Sequence, residues 1–403
     1  MKRIYESVLK KHLKSYDQML FLSGPRRSGK TTLALEAKEW TSFFKYLNWD
    51  ILKDREQIVE GLGGILTEFS AKSVPGMAKP ILALDEVHKF KNWKNFLKGI
   101  FDQYKDTVNT LVTGSARLNI YKKGQDSLMG RYFLYRIHPF SVAEIVSPTV
   151  EDFYIRSPKK IDPSTMEALF EFGGFPEPFI KQDKRFFRQW QILRQQQLFN
   201  EDIQDLSKVY EIDLMEVLSS LIKHQAGELL NYSNLAKKTR VSDVTIRKWI
   251  SILENLYFCF KVKPWHKNVT RSLIKEPKIY LWDWSSIEDQ GNKVENFVAS
   301  HLLKAVNFWM DTGLGNYDLY YLRDTQKKEV DFLMTKENKP WILIEVKTSQ
   351  KDSLNPNLKY FQKQIKAPYA FQIAYDMEYL DYDFRELKSP KILPISTFLS
   401  QLI

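Results

Sequence analysis

Two stretches of this chain hold residues whose types and spacing can do phosphate chemistry. The first is Gly24-Pro25-Arg26-Arg27-Ser28-Gly29-Lys30-Thr31-Thr32, which satisfies the pattern G-x-x-x-x-G-K-[ST]. Gly24 and Gly29 let the backbone bend until its N–H groups face an anion, a turn that β-carbons would obstruct. Lys30 can reach the β- and γ-phosphates of ATP, and the Thr31 hydroxyl can enter a Mg²⁺ shell. Residues 24–32 are therefore expected to hold the triphosphate. An acid pair, Asp85-Glu86, closes the apolar run Ile81–Leu84. There Asp85 would help hold Mg²⁺, while Glu86 would orient or activate the attacking water. A hydroxyl at Ser115, after the run Thr110–Thr113, could sense the γ-phosphate. Arg131, in Gly130-Arg131, could neutralise charge on that phosphate in its own subunit or a neighbour's, with Arg117 a weaker candidate.

The second stretch is KKEVDFLMTKENKPWILIEVKTS. Alternate residues of a strand share a face, so Glu345 and Lys347 point the same way, and a short turn at 336–339 can bring Asp331 beside them. Two carboxylates offer hard oxygen ligands to Mg²⁺ or Mn²⁺. A nearby lysine can orient water or stabilise charge on a phosphodiester. Glu295, on the helix expected over Asn292–Lys304, could supply a third acid. The histidines show no metal-ligand spacing.

The elements that must position these groups can be read from periodicity. Met19–Leu22, Phe43–Asn48, Ile81–Leu84 and Thr110–Thr113 are expected strands, and the continuous apolar runs among them suit the centre of a parallel sheet. In an open α/β fold, nucleotide sites form at the C-terminal edge of such strands. A helix should follow the phosphate loop over Thr31–Trp40, and Ile58, Val59, Leu62, Ile65, Leu66 and Phe69 lie at helical spacing. Gly173-Gly174 with Pro176 and Pro178 implies a tight, fixed turn. Residues 213–262 give helix, shorter helix, third helix and hairpin, a winged-helix pattern. In the third helix Ser242 reads as the cap, with Val244, Ile246, Ile250, Leu253 and Leu256 facing inward. Thr245, Arg247 and Lys248 would lie near bases or phosphates of DNA. Further on, Ile279–Trp282, Phe308–Met310 and Tyr317–Leu322 are expected strands.

Composition limits the class. The 403 residues are 43% hydrophobic and 27% charged, which suits a soluble protein of two or three domains. A single cysteine, Cys259, excludes a disulfide framework and suits a reducing compartment. No apolar run is long enough to span a membrane, and the charged beginning lacks a signal-peptide core, so a cytoplasmic location without membrane contact is expected. The net charge of +11 is concentrated: residues 223–280 hold twelve Lys/Arg against four Asp/Glu. A polyanion such as DNA is the expected partner of that segment, with Lys263, Lys267, Arg271, Lys275 and Lys278 extending the basic tract.

GPRRSGKTT, ALDEVHKFKNW, TGSA, LMGRYFLYRIHPFS and MEALFEFGGFPEPFI, in this order, resemble the prokaryotic AAA-type ATPases that carry a conserved, uncharacterised C-terminal domain. The resemblance implies ATP binding and hydrolysis, in an ATPase domain whose Arg131 matches the family's GR motif. Asp331, Glu345 and Lys347, with Glu295 as helix acid, resemble the core of the PD-(D/E)xK nuclease superfamily, although Val330 stands where that signature has proline. The expected architecture is α/β: a P-loop, parallel-sheet ATPase domain (1–145), a helical connector (146–212), a winged-helix domain (213–280) and a restriction-endonuclease-like domain (281–403). Two functions follow: an ATP-hydrolysing protein that acts on DNA through a metal-binding C-terminal domain, or a nucleotide-gated protein-interaction module with a silent nuclease-like fold. Either is compatible with a homo-oligomer or a protein partner.

Overall fold

The computed structural model describes residues 1–114, 128–149, 155–206, 211–266 and 276–403. Ser115, Arg117, Lys267, Arg271 and Lys275 lie outside those residues. The chain divides into two compact units, Met1–His138 and Pro139–Ile403.

The first unit is built on five parallel strands: β1 (Met19–Ser23), β2 (Phe44–Asn48), β3 (Ile81–Asp85), β4 (Asn109–Thr113) and β5 (Tyr132–Arg136), in the order β2-β3-β4-β1-β5. β1, β3 and β4 are buried at every position, as the central strands of a parallel sheet are, although β4 (NTLVT) is only partly apolar. Leu22 and Asp85 are both paired with Thr113, so the phosphate loop and the acid pair share one edge of the sheet. The helix after the loop runs Lys30–Glu36 and tightens into a 3-10 turn, Ala37–Trp40. The apolar spacing over 56–69 belongs to two helices, Leu52–Glu60 and Gly63–Ala71, parted at Gly61, whose φ of 102° ends the first.

The second unit begins with helices and ends in a sheet. Helices Ile212–His224, Tyr232–Thr239 and Asp243–Asn255 share a core of Leu218, Ile222, Leu235, Ile246, Trp249 and Leu253. Ser242 caps the third helix, accepting the Thr245 N–H at 3.1 Å. Val244, expected to face inward, is instead 76% exposed. The buried stripe is Ile246, Trp249, Ile250 and Leu253, and Val244 lies outside it.

Seven strands follow: β6 (Cys259–Pro264), β7 (Lys278–Leu281), β8 (Tyr317–Arg323), β9 (Glu329–Lys336), β10 (Lys339–Lys347), β11 (Tyr369–Ala374) and β12 (Lys391–Pro394), in the order β12-β11-β10-β9-β8-β6-β7. The hairpin β6–β7 joins this sheet through a short parallel pairing of β6 with β8, so the expected boundary at residue 280 falls inside one sheet. Phe308–Met310, expected as strand, is the last full turn of a 22-residue helix, Gln290–Asp311. Its buried positions continue at helical spacing through Ala305, Phe308 and Trp309, and after Gly291 in the first turn the next glycine comes only at Gly313. β9 and β10 form the expected antiparallel hairpin, closed by Glu337 and Asn338 at positive φ. No helix among the described residues is long and apolar enough to cross a membrane.

Candidate functional site

At the C-terminal edge of the first sheet the chain turns sharply. Gly24 has a φ of 149°, and a Cβ there would collide with the Ile137 carbonyl oxygen. Gly29, at φ 93°, precedes the helix that begins with Lys30. The Lys30 ammonium is buried and donates to the carbonyl oxygens of Gly24 (3.0 Å) and Pro25 (2.8 Å), bridging the mouth of the loop. Ser28 Oγ is buried with no hydrogen-bond partner. Arg27 and the hydroxyl residues Thr31 and Thr32 are exposed, and Arg26 is half-buried.

Asp85 is where the elements converge. Thr31 Oγ1 donates to Asp85 Oδ2 at 2.8 Å, and Tyr46 Oη, from the middle of β2, donates to the same oxygen at 2.7 Å. Thr113 Oγ1, level with Asp85 on β4, donates to Oδ1. Three neutral hydroxyls from three elements thus hold one carboxylate. A hydroxyl and a carboxylate in contact are hard oxygen donors of the kind Mg²⁺ takes, so Thr31 and Asp85 fit that ion. Burial and the Asp85 charge push the Tyr46 phenol upward, so it stays a donor.

Glu86 follows in the left-handed region at φ 55°. Its Oε2 makes no hydrogen bond and lies 3.4 Å from His88 Nε2 and 3.9 Å from Lys89 Nζ. Burial, then the neighbouring Asp85 carboxylate, raise its proton affinity above the ordinary glutamate range. A non-glycine residue held in that conformation beside a phosphate loop is consistent with backbone set for chemistry rather than for packing.

Arg131 is not brought to this cluster. It immediately precedes β5, which runs parallel to β1, so about 16 Å of strand at ~3.3 Å per residue separates it from the loop edge. Its guanidinium grips Asp102, with Nε to Oδ1 at 2.7 Å. Arg136, at the far end of β5 and level with Ser23, is the arginine of that segment at the loop edge.

Sequence reasoning missed Tyr46, Thr113, Arg136 and Arg3. Register on parallel strands would have found Thr113 and Arg136. Arg3 had no local signal. It is buried, and its guanidinium donates 2.6 Å to the Ser28 carbonyl oxygen of the loop and 2.5 Å to the His138 carbonyl oxygen.

The second set of expected site residues, in the other unit, does come together. Asp331 Oδ2 accepts the Val346 N–H at 2.9 Å, which sets it beside Glu345. Glu345 Oε1 accepts from Lys347 Nζ (2.9 Å) and Asn355 Nδ2 (2.7 Å). Glu295 and Asp331 are joined differently: Lys278 Nζ lies 3.1 Å from Glu295 Oε1 and 3.5 Å from Asp331 Oδ1. Among the described residues no three Asp, Glu, His or Cys side chains are grouped to hold a metal ion. Elsewhere in this unit Lys237, Lys238, Arg240, Arg247 and Lys248 are exposed on the second and third helices, and the Arg247 guanidinium stacks 3.8 Å from the Tyr232 ring centroid.

Residues 16–146 match a family model described as an AAA domain, and residues 164–287 and 290–398 match two described as domains of unknown function (DUF8612 and DUF4143). The first unit is therefore a parallel-sheet P-loop ATPase fold of the AAA type. An uncharacterized protein of Mycobacterium tuberculosis is 22% identical over 361 residues, covering 85% of this chain and 73% of the relative. One from Haemophilus influenzae is 21% identical over 343 residues, 80% of this chain and 81% of the relative. Among solved structures, the Walker-type ATPase of Pyrococcus abyssi aligns with 69% of this chain and 92% of its own, at 14% identity and a TM-score of 0.41.

Proposed function

We propose that the protein is a Mg²⁺-dependent ATPase whose nucleotide lies on the loop edge of the first sheet, and that it acts in association with DNA. The observation that carries the first half is the convergence on Asp85 of hydroxyls from the phosphate loop, β2 and β4. Gly24, Pro25, Arg26, Arg27, Ser28, Gly29, Lys30, Thr31 and Thr32 would line the triphosphate, with Lys30 exchanging its two carbonyl partners for phosphate oxygens. Thr31 and Asp85 would hold the Mg²⁺, which when bound neutralises phosphate charge. Glu86, with its raised proton affinity, would orient the attacking water and take its proton. Arg136, whose backbone is level with Ser23 at the loop edge, would offset charge on the same site. Arg131, at the opposite edge, would serve only a neighbouring copy's nucleotide.

Support for the DNA half is the charge of residues 223–280 and the exposed cations of the second and third helices, which would serve as those of a winged helix do. Arg247, Lys248 and Thr245 would meet the duplex, and Val244, the exposed apolar residue beside them, suits contact with a thymine methyl. For the last domain the silent reading is favoured by one contact, the Lys278 ammonium among the acids that resemble a nuclease centre. The donor set there does not fit Mg²⁺ or Mn²⁺ while that cation is in place.

Phosphate release measured with and without duplex DNA at low salt tests both halves. The reading expects Mg²⁺-dependent turnover that DNA stimulates and that Lys30→Ala and Glu86→Gln abolish. Turnover indifferent to DNA, without DNA binding at low salt, leaves the nucleotide-gated interaction module. No affinity for ATP with Mg²⁺ overturns the whole reading.

A further inference from the structure

Lys278 opens β7, the edge strand of the second sheet, where lysine ordinarily faces water. Here its side chain is 6% exposed, and its ammonium is turned into the molecule. Three carboxylates receive it: Glu329 Oε1 at 2.7 Å, Glu295 Oε1 at 3.1 Å and Asp331 Oδ1 at 3.5 Å. An ammonium has three N–H donors, as many as the acids around it. Other donors share these carboxylates: Tyr280 Oη donates to the same Glu295 Oε1 at 2.7 Å, Arg323 to Glu329 Oε2 at 3.0 Å, and the Val346 N–H to Asp331 Oδ2 at 2.9 Å.

The charge count gives the same result. Glu295, Glu329, Asp331 and Glu345 are faced by Lys278, Arg323 and Lys347. Four carboxylates with three cations are close to balanced. Adding a divalent ion would leave a buried excess of positive charge unless a cation departed. A hard ion also needs its oxygens at about 2.0–2.6 Å, so it would have to occupy the space the ammonium holds between Glu295 and Asp331.

We propose that Lys278 is the resident cation of this cluster. It occupies the divalent-ion position, so the acids of the last domain take neither Mg²⁺ nor Mn²⁺ in the native protein. They form instead a buried ion-pair knot that joins β7, the helix Gln290–Asp311 and β9. Taking away the ammonium, while leaving the acids, turns the knot into a metal site. This inference is independent of the nucleotide reading, because it concerns different residues in a different unit.

The test is Mn²⁺ binding without nucleotide, followed by electron paramagnetic resonance on the full chain, in native protein, Asp331→Asn, Lys278→Gln and Lys278→Gln with Asp331→Asn. Native protein and Asp331→Asn should bind Mn²⁺ equally. Lys278→Gln should gain one equivalent, lost again in the double variant, and Mn²⁺ should raise its thermal midpoint but not that of native protein. A native Mn²⁺ site that Asp331→Asn removes overturns the proposal. A folded Lys278→Gln protein that gains no site overturns it as well. If Lys278→Gln does not fold, the comparison of native protein with Asp331→Asn still decides: equal binding upholds the proposal and a loss overturns it.

Discussion

Carboxylates gather at two places in this molecule, and they are held in opposite ways. At the edge of the first sheet Asp85 rests on hydroxyls of Thr31, Tyr46 and Thr113, all neutral. In the second unit Glu295, Glu329 and Asp331 surround the Lys278 ammonium. Hydroxyls orient an acid and leave its charge in place, so the first site keeps its attraction for a cation that arrives with a ligand. An ammonium cancels that charge, so the second site has little left to offer. Acids in the right pattern are therefore insufficient to identify a metal site; what neutralises them decides.

The largest expected effect that would break this contrast is on Glu86. Glu86→Gln should lower ATP turnover by roughly 10²–10⁴-fold with nucleotide affinity little changed, measured by phosphate release at saturating ATP and by nucleotide titration. Because its proton affinity is raised, native turnover should fall as pH drops, beginning above the ordinary glutamate value of 4.5, since the base works only when deprotonated. Turnover that is flat across mildly acidic pH would remove Glu86 from that role.

Next comes Lys278→Ala, which takes the shared cation from three half-buried acids. It should destabilise the second unit by about 3–5 kcal/mol in urea unfolding while the ATPase rate per folded molecule is unchanged. Asp85→Asn should do the reverse, costing Mg²⁺-ATP binding with little loss of stability. If both variants lose stability alike, the two sites are not held differently.

Arg3→Ala should follow, raising KM for ATP by roughly 10–10²-fold with kcat nearly unchanged, since a charged hydrogen bond to the loop is worth roughly 1.5–3 kcal/mol. Arg3→Lys should recover part of it; equal defects in both would make Arg3 a matter of packing. The smallest effect is Tyr46→Phe, about 0.5–1.5 kcal/mol, seen as a higher Mg²⁺ concentration for half-maximal turnover.

What the sequence disclosed follows from how local each signal is. The phosphate loop, the strand ending in Asp85 and the Ser242 cap are each set by a few neighbouring residues, and the structure forms all of them. Thr113 depends on strand register, and Arg3 reaches the loop across 25 residues and His138 across 135, distances at which no periodicity speaks. Val244 was misplaced because one apolar residue in a mixed helix fits more than one stripe, and Trp249 takes the buried position. Phe308–Met310 is a short apolar run, ambiguous between strand and buried helix, and the preceding helix simply continues through it. Glu295, Asp331, Glu345 and Lys347 were legible as a group. The lysine among them was not, because Lys278 reads as one more member of a basic tract until the sheet turns it inward.

The most direct measurement is the count of Mn²⁺ ions bound per chain in the presence and absence of a non-hydrolysable ATP analogue. The account predicts that the analogue adds one tightly bound ion, which Lys30→Ala or Asp85→Asn removes and Asp331→Asn does not. An ion count that the analogue leaves unchanged, or whose increment depends on Asp331, would contradict it.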